Sequence, residues 1–238
     1  MLPSYIPSDT SMYSIRQDEM ADLSDQNIAT LSEINDFQLP HNLQVLKLDK
    51  NKISTIDETI SKFKLLRFLN MSSNLLIKIQ NLSSFSNLTL LDLSRNKITK
   101  LENLENNVKL KRLLIGRNVI QSIKLKKPLA SLILLDIHHN PLTKVNFGKL
   151  FPNLVQLYIN ECRISSLKGI ETFPNLKHFK CQKNKINDNE SNMITNPNIE
   201  DIDISRNEMT TLAPFLNLTT LKILNIQENP LTDGLLQI

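Results

Sequence analysis

The 238 residues contain 4 glycines, 2 cysteines and no tryptophan, and each shortage narrows what the chain can be. Glycines at 116, 148, 169 and 234 are too scattered to form the loops that cradle phosphates in nucleotide-binding enzymes. They are also few for a chain that turns often through left-handed backbone. The cysteines, Cys162 and Cys181, lie far from both ends, so the cysteine clusters that close the caps of secreted repeat proteins are missing. No apolar run nears the roughly 18 residues of a membrane span. Residues 1–20 lack the basic and apolar regions of a secretory leader. N-x-[ST] sequons begin at Asn70, Asn81, Asn87, Asn189 and Asn217. In a secreted protein some of these would place glycan on a strand face or within a coil. The expectation is therefore a reducing, intracellular compartment: the cytoplasm, with cytoskeletal, ciliary and nuclear sites left open.

Long runs of one charge are absent too. The formal net charge is +4, with 28 Lys and Arg against 24 Asp and Glu spread along the chain, which excludes a basic nucleic-acid arm. Where that charge matters it favours an acidic partner.

What the chain does have is a period. Leu43-x-x-Leu46-x-Leu48-x-x-Asn51-x-Ile53 returns as Leu66, Leu69, Met71, Asn74 and Leu76, and again as Leu88, Leu91, Leu93, Asn96 and Ile98. Six further copies place Asn118, Asn140, Cys162, Asn184, Asn207 and Asn229 at the same point, in steps of 22 or 23 residues. A degenerate copy at residues 21–42, with Leu23, Ile28 and Leu31, reads as an N-terminal cap. Alternation through each L-x-L predicts a short strand, and stacked copies predict a parallel sheet. At about 4.8 Å per repeat, nine repeats make an arc of roughly 40–45 Å. The recurrent Asn carries both a donor and an acceptor, as an inward ladder satisfying buried turn backbone requires. On the return path apolar residues recur every third position, which fits 3₁₀-like turns better than α-helix. Phe63, Phe85, Phe151 and Phe173 share one register and predict an aromatic stack on that side.

This pattern resembles the leucine-rich-repeat family over residues 23–238, and its period and return path are similar to the 22-residue cytosolic subclass. The resemblance implies an α/β solenoid: a curved arc with a parallel β-sheet on its concave face and 3₁₀ or irregular turns on its convex face. Members of that subclass include a regulatory subunit of protein phosphatase 1, a spliceosomal ribonucleoprotein protein and axonemal proteins. The resemblance thus implies an adaptor or regulator with a protein partner. A phosphatase is one such partner, and tubulin or axonemal proteins in a cytoskeletal assembly are another. The phosphatase regulator's fingerprint does not transfer, because tryptophan is lacking and concave acidic residues are few.

Breaks in the period mark out the rest. Residues 1–20, with Pro3 and Pro7, read as an unpatterned tail. Residues 187–198 replace the apolar return path with polar residues, and read as a loose coil or outward contact loop. Nothing resembling a C-terminal cap follows residue 232, so Leu235, Leu236 and Ile238 await a partner or a missing cap.

The strand period assigns the concave face. The position before the second Leu holds Phe68, Leu90, Arg112 and Leu134, and the position after it holds Asp92, Leu114, Asp136 and Tyr158. The position before the ladder residue holds Arg95, Arg117, His139, Lys183 and Arg206. Phe68, Leu90, Leu114 and Leu134 are expected to form an apolar patch rimmed by Arg and Asp, as an interface core is. Phe68, Arg95, Arg117 and Tyr158 are the expected hot spots. Catalysis is not expected. Asp136 and His138 are placed for a carboxylate–imidazole contact, but no nucleophile lies beside them, since both cysteines face inward. A zinc site from His138 or His139 with Cys162 lacks the usual ligand spacing. Neither metal nor cofactor is expected. Direct nucleic-acid binding is not expected either, because stacking aromatics between basic residues are missing from these columns.

Overall fold

The computed structural model describes residues 15–188 and 194–232. Residues 1–14 of the expected tail, 189–193 of the polar stretch and the end segment 233–238 lie outside the described residues.

Short strands follow directly from the alternating Leu pattern. In chain order the first are β1 (Met20–Asp22), β2 (Val45–Lys47), β3 (Phe68–Asn70) and β4 (Leu90–Asp92). A separate pair, β5 (Lys100–Leu101) and β7 (Ser122–Ile123), flanks β6 (Arg112–Leu114) in sequence. The remainder are β8 (Leu134–Asp136), β9 (Gln156–Tyr158), β10 (His178–Lys180), β11 (Asp201–Asp203) and β12 (Ile223–Asn225). All but β5 and β7 form one ten-stranded parallel sheet in sequential order. Its register is that of the repeat: Leu46 pairs with Leu69, Leu69 with Leu91 and Leu91 with Leu113. These central leucines are fully buried, so the residue on either side of each faces the sheet's outer surface. The degenerate N-terminal copy supplies β1, which pairs with β2 in the same register. The fold is a curved leucine-rich-repeat solenoid.

The ladder residue ties each repeat to the one before. Asn74 Oδ1 accepts the Ile53 N–H at 3.0 Å, while Asn74 Nδ2 donates to Leu48 O at 2.9 Å and to Met71 O at 3.1 Å. Asn118 does the same for Ile98 N–H and Leu93 O, at 2.9 and 3.0 Å. One amide thus satisfies an orphan donor and an orphan acceptor of the preceding turn. Cys162 cannot. Its thiol reaches Ile137 O and Asn160 O at 3.7 Å, and it offers no acceptor for the Leu142 N–H. That N–H bends back onto Asn140 O at 2.8 Å, as Leu231 does onto Asn229 O in the last described repeat. Both places read Asn-Pro-Leu.

The scarcity of glycine does not limit the left-handed turns. Immediately before each ladder residue stands a non-glycine residue with φ between 53 and 59°: Lys50, Ser73, Arg95, Arg117, His139, Glu161, Lys183, Arg206 and Glu228. Such backbone costs about 1–2 kcal/mol per residue when isolated. Here the stack holds it, because the N–H of each such residue from Lys50 to Arg206 bonds a carbonyl of the next repeat, Arg95 to Gly116 O at 2.9 Å for example. Gly116 itself answers a different need. A Cβ there would lie 2.3 Å from the His138 ring packed against it.

The convex side is mixed. Its 3₁₀ turns run over Leu31–Phe37, Glu58–Lys62, Gly148–Leu150, Ile170–Thr172 and Ala213–Phe215. In the middle repeats β5 and β7 replace them, since Thr99, Lys100 and Ser122 continue an extended course. The expected aromatic stack is interrupted. Phe63, Phe85, Phe151 and Phe173 are buried, but Asn107 and Leu129 fill the register between Phe85 and Phe151. Asn107 Nδ2 donates to Leu82 O and Phe85 O, bridging coils with amide hydrogen bonds instead of rings. Ring contacts among the described residues pass through Phe147, edge-on to Phe151 at 6.0 Å and to Phe173 at 5.4 Å. At the far margin of the polar stretch Ile194 and Asn196 are buried, and Asn196 Nδ2 donates to Phe173 O at 2.8 Å. No helix among the described residues is long and apolar enough to cross a membrane.

If the ladder works as described, Asn118→Ala will lower unfolding stability in urea by about 1–3 kcal/mol, since it leaves the buried Ile98 N–H without an acceptor and takes one of two amide donors from each of the Leu93 and Ile115 carbonyls. A cost below about 0.5 kcal/mol would count against the ladder. The reverse change, Cys162→Asn, restores an acceptor for the Leu142 N–H and is expected to raise stability by about 1 kcal/mol.

Candidate functional site

The sheet's outer surface is set by two columns. The column before each central Leu runs Val45, Phe68, Leu90, Arg112, Leu134, Gln156, His178, Asp201 and Ile223 in strict register. Phe68 and Leu90 are adjacent and half-buried, with Leu114 one column over on β6. The apolar patch is smaller than the sequence suggests. Leu134 is only 5% exposed and Val45 is fully buried. Leu134 lies in register between two long side chains, Arg112 and Gln156, on a surface that curves inward. Tyr158 reaches across its own strand to donate its hydroxyl to Gln156 Oε1 at 2.9 Å. Crowding on a concave sheet covers a short side chain between long ones.

The carboxylates of the second column turn out to be committed. Asp92 Oδ1 accepts the Ser94 N–H at 2.9 Å, as Asn70 does from Ser72 and Asp203 from Ser205. These are Asx turns that end the strand, so the column's Asp and Asn recur for a backbone reason. Burial pushes the Asp92 carboxyl above its ordinary range against the pull of Ser94, and nearby Asp136 and Asp49 push the same way. Asp136 takes the His138 N–H at 3.2 Å and its ring Nδ1 at 2.6 Å, which realises the expected carboxylate–imidazole contact. His138 is buried, so the pair braces a turn. Desolvation raises the Tyr158 phenol, with Asp136 and Asp201 adding to the effect. Burial also pushes the Cys162 thiol up to about 11 and the Cys181 thiol well above its ordinary range, leaving neither as a thiolate near neutrality.

The third column, before the ladder residue, divides in two. Beyond residue 139 it neutralises itself. Glu161 lies 3.3 Å from His139 Nδ1 and 3.6 Å from Lys183 Nζ, and Arg206 Nη2 pairs with Glu228 at 2.8 Å. Beside these groups a shallow polar trough of about 300 Å³ runs along Glu161, Lys183 and Arg206. Arg95 and Arg117, in contrast, are exposed and make no ion pair among the described residues. Their backbones lie one repeat apart in the same left-handed conformation, in the turns that follow the strands carrying Leu90 and Leu114. The concave face thus gathers three half-buried apolar side chains, Tyr158 and two unpaired arginines. Sequence reasoning missed that Asp92 and Asp136 are turn residues. The signal was there in the matching Asn70, Asp203 and Asn225 of the same column.

The sequence model of the Leucine Rich Repeat family matches residues 87–107. No curated protein matches the chain by sequence. Among solved structures, an internalin (InlF) from Listeria monocytogenes superposes with a TM-score of 0.72 at 23% identity, over 89% of this chain and 61% of that one. The present chain therefore spans about three fifths of that internalin. The leucine-rich repeat domain of APL1B gives 0.63 at 18% identity, covering 92% of this chain and 79% of that one. A chain of the LRIM1/APL1C complex gives 0.70 at 18% identity, over 88% of this chain and 39% of that one. At these identities the likeness is one of fold. The chain has the leucine-rich-repeat fold, and one of its repeats matches that family's own sequence pattern.

Proposed function

We propose that the chain is a non-catalytic, intracellular adaptor or regulator that holds another protein against its concave sheet. One observation carries this reading. Phe68, Leu90 and Leu114 remain half-exposed on the parallel sheet, and the turns beyond those strands carry Arg95 and Arg117, which make no ion pair among the described residues. Aromatic and Arg side chains around an apolar centre are what interface hot spots are made of. The chain's fold supports the reading, since solenoids present an extended concave surface suited to binding. So does the LRIM1/APL1C structure, in which a chain of similar fold belongs to a complex.

An intracellular setting is supported by two sequons whose amides are already in use. Asn70 Nδ2 donates to Asp49 Oδ1 at 2.9 Å, and Asn81 Nδ2 donates to Ile56 O at 2.7 Å. A glycan on either nitrogen would replace one of its two hydrogens and crowd that bond. The phosphatase-regulator reading refines this proposal by partner, while a structural component of a cytoskeletal or axonemal assembly is the alternative to it.

A photo-crosslinking amino acid placed at Leu90 or Leu114, and separately at convex Glu58 or Lys127, tests the reading in cells. The expected result is one protein adduct from the concave positions alone. Its identity, a phosphatase catalytic subunit or an axonemal protein, would separate the refinements. Adducts only from convex positions, or none from any, would sink the proposal. With that partner in hand, Phe68→Ala is expected to weaken binding about 10- to 100-fold, while unfolding stability changes far less than affinity.

A further inference from the structure

Charge that is scattered in sequence is gathered in space. Leaving each ladder residue, the chain runs along one lateral flank of the solenoid before reaching the convex side. Successive repeats are bonded here too: Lys52 N–H to Ile28 O at 2.7 Å, Lys97 N–H to Leu76 O at 2.8 Å and Arg163 N–H to Leu142 O at 2.8 Å. The second residue after the ladder position, such as Ile53 or Ile98, is buried, and the first, third and fourth face outward in three parallel rows.

The first row carries Lys52, Lys97, Arg163 and Lys185, all exposed. The fourth-position row carries Lys78, Lys100 and Lys144, also exposed. Between residues 52 and 188 the only carboxylate in the three rows is Asp188, whose Oδ2 accepts from the Thr210 N–H and hydroxyl. None of these seven cations makes an ion pair among the described residues. On the opposite flank the pattern differs. Glu200 sits between Lys177 and Lys222, and those two hold its carboxyl down at about 2. On the sheet face Lys47 and Lys180 are each paired with an aspartate.

From Lys52 to Lys185 is six repeats, so the basic strip is about 30 Å long, and three residues of extended chain make it about 10 Å wide. Neighbouring cations within it lie near or inside the Debye length of about 8 Å at physiological salt, so their repulsion is only partly screened. A polyanion laid along the strip would relieve it. The strip also carries exposed apolar side chains: Leu75 at 40%, Ile77 at 50% and Val119 at 45%. It holds no aromatic residue on which a base could stack. Cations interleaved with aliphatic side chains complement acidic protein better than they complement nucleic acid.

We propose that this flank is a second docking surface, separate from the concave face, for an acidic polypeptide segment that carries apolar residues. The inference stands on the flank alone and does not depend on the concave-face reading. It is tested with the full chain and two probes of equal mean length, poly-L-glutamate and a random glutamate–tyrosine copolymer. The expected result is that both bind in a salt-sensitive way and the copolymer binds more tightly. Lys97→Glu with Lys100→Glu and Lys144→Glu should weaken both by about 30-fold or more, while the same charge change on the opposite flank, Lys64→Glu with Lys109→Glu and Lys111→Glu, should cost less than about 3-fold. The Lys→Gln triple at 97, 100 and 144 repeats the test should the reversed one fold poorly. Leu75→Ser with Ile77→Ser should erase the copolymer's advantage and leave polyglutamate binding unchanged. Equal losses from both flank triples would overturn the proposal. So would tighter binding to single-stranded or duplex DNA of matched charge, or binding to phosphatidylserine-containing vesicles in place of both polypeptides.

Discussion

Everything in this solenoid hangs on one side-chain amide that faces backward. At the end of each strand the chain turns within the stack, and the turn leaves an N–H and a carbonyl that water cannot reach. The following repeat supplies the Asn that satisfies both, as Asn74 does for Ile53 and Leu48. The left-handed residue beside it is held in the same direction, through its N–H to the next repeat's carbonyl. Each coil is thus completed by its successor. Burial of the leucines supplies most of the driving force, about 25 cal/mol per Å² of apolar surface. Burial alone would tolerate a slip, however, and directional amide bonds do not. Because the ladder fixes register to the residue, side chains 22 positions apart become neighbours, and rows of chemistry appear on every face.

How much of this was legible depended on whether a feature repeats within a coil or between coils. The strands, their register and the ladder follow from the L-x-x-L-x-L-x-x-N spacing, since both core and turn need the same residues every time. Arg95 and Arg117 could likewise be placed on the concave edge. The burial of Leu134 could not, because it depends on the lengths of Arg112 and Gln156 in other repeats and on curvature that pattern does not encode. Asp92 and Asp136 were placed on the correct face, but their turn-capping bonds to Ser94 and His138 were not foreseen. Glycine scarcity pointed the wrong way, since a stack can hold Lys50 or His139 at positive φ where an isolated turn would favour Gly. The basic flank escaped notice because Lys52, Lys97 and Lys144 never form a run. Net charge averages over faces, and only aligning the chain on its own period reveals the segregation.

The two surfaces differ in kind. On the concave sheet most ionisable groups are already paired or tied to turns, and what remains open is a compact apolar centre with two arginines. Such a surface selects by shape. On the flank the cations make no ion pair among the described residues and are spread, between aliphatic and small polar side chains, over about 30 Å. That surface selects by charge and tolerates sliding. A partner offering a folded knob and an acidic extension could engage both at once, and the second contact would then be intramolecular.

The coil that begins at Asn140 is bound more thinly than its neighbours. Pro141 has no N–H to give the carbonyl of Ile120, and Cys162 gives no acceptor to Leu142. A cleft of about 370 Å³ opens at the same level where the flank meets the convex side, lined in part by Ile123, Leu142, Lys144 and Phe147. In a quasi-one-dimensional stack a single soft junction dominates the mechanics, as the weakest of several springs in series takes up most of the extension. Bending of the arc is expected to concentrate there, between the coils before it and the coils after it. Phe68, Leu90, Arg95 and Arg117 lie before that junction, and Tyr158 lies after it. A change of curvature at that one junction would shift the two groups relative to each other while keeping the ladder bonds of Asn74 and Asn118.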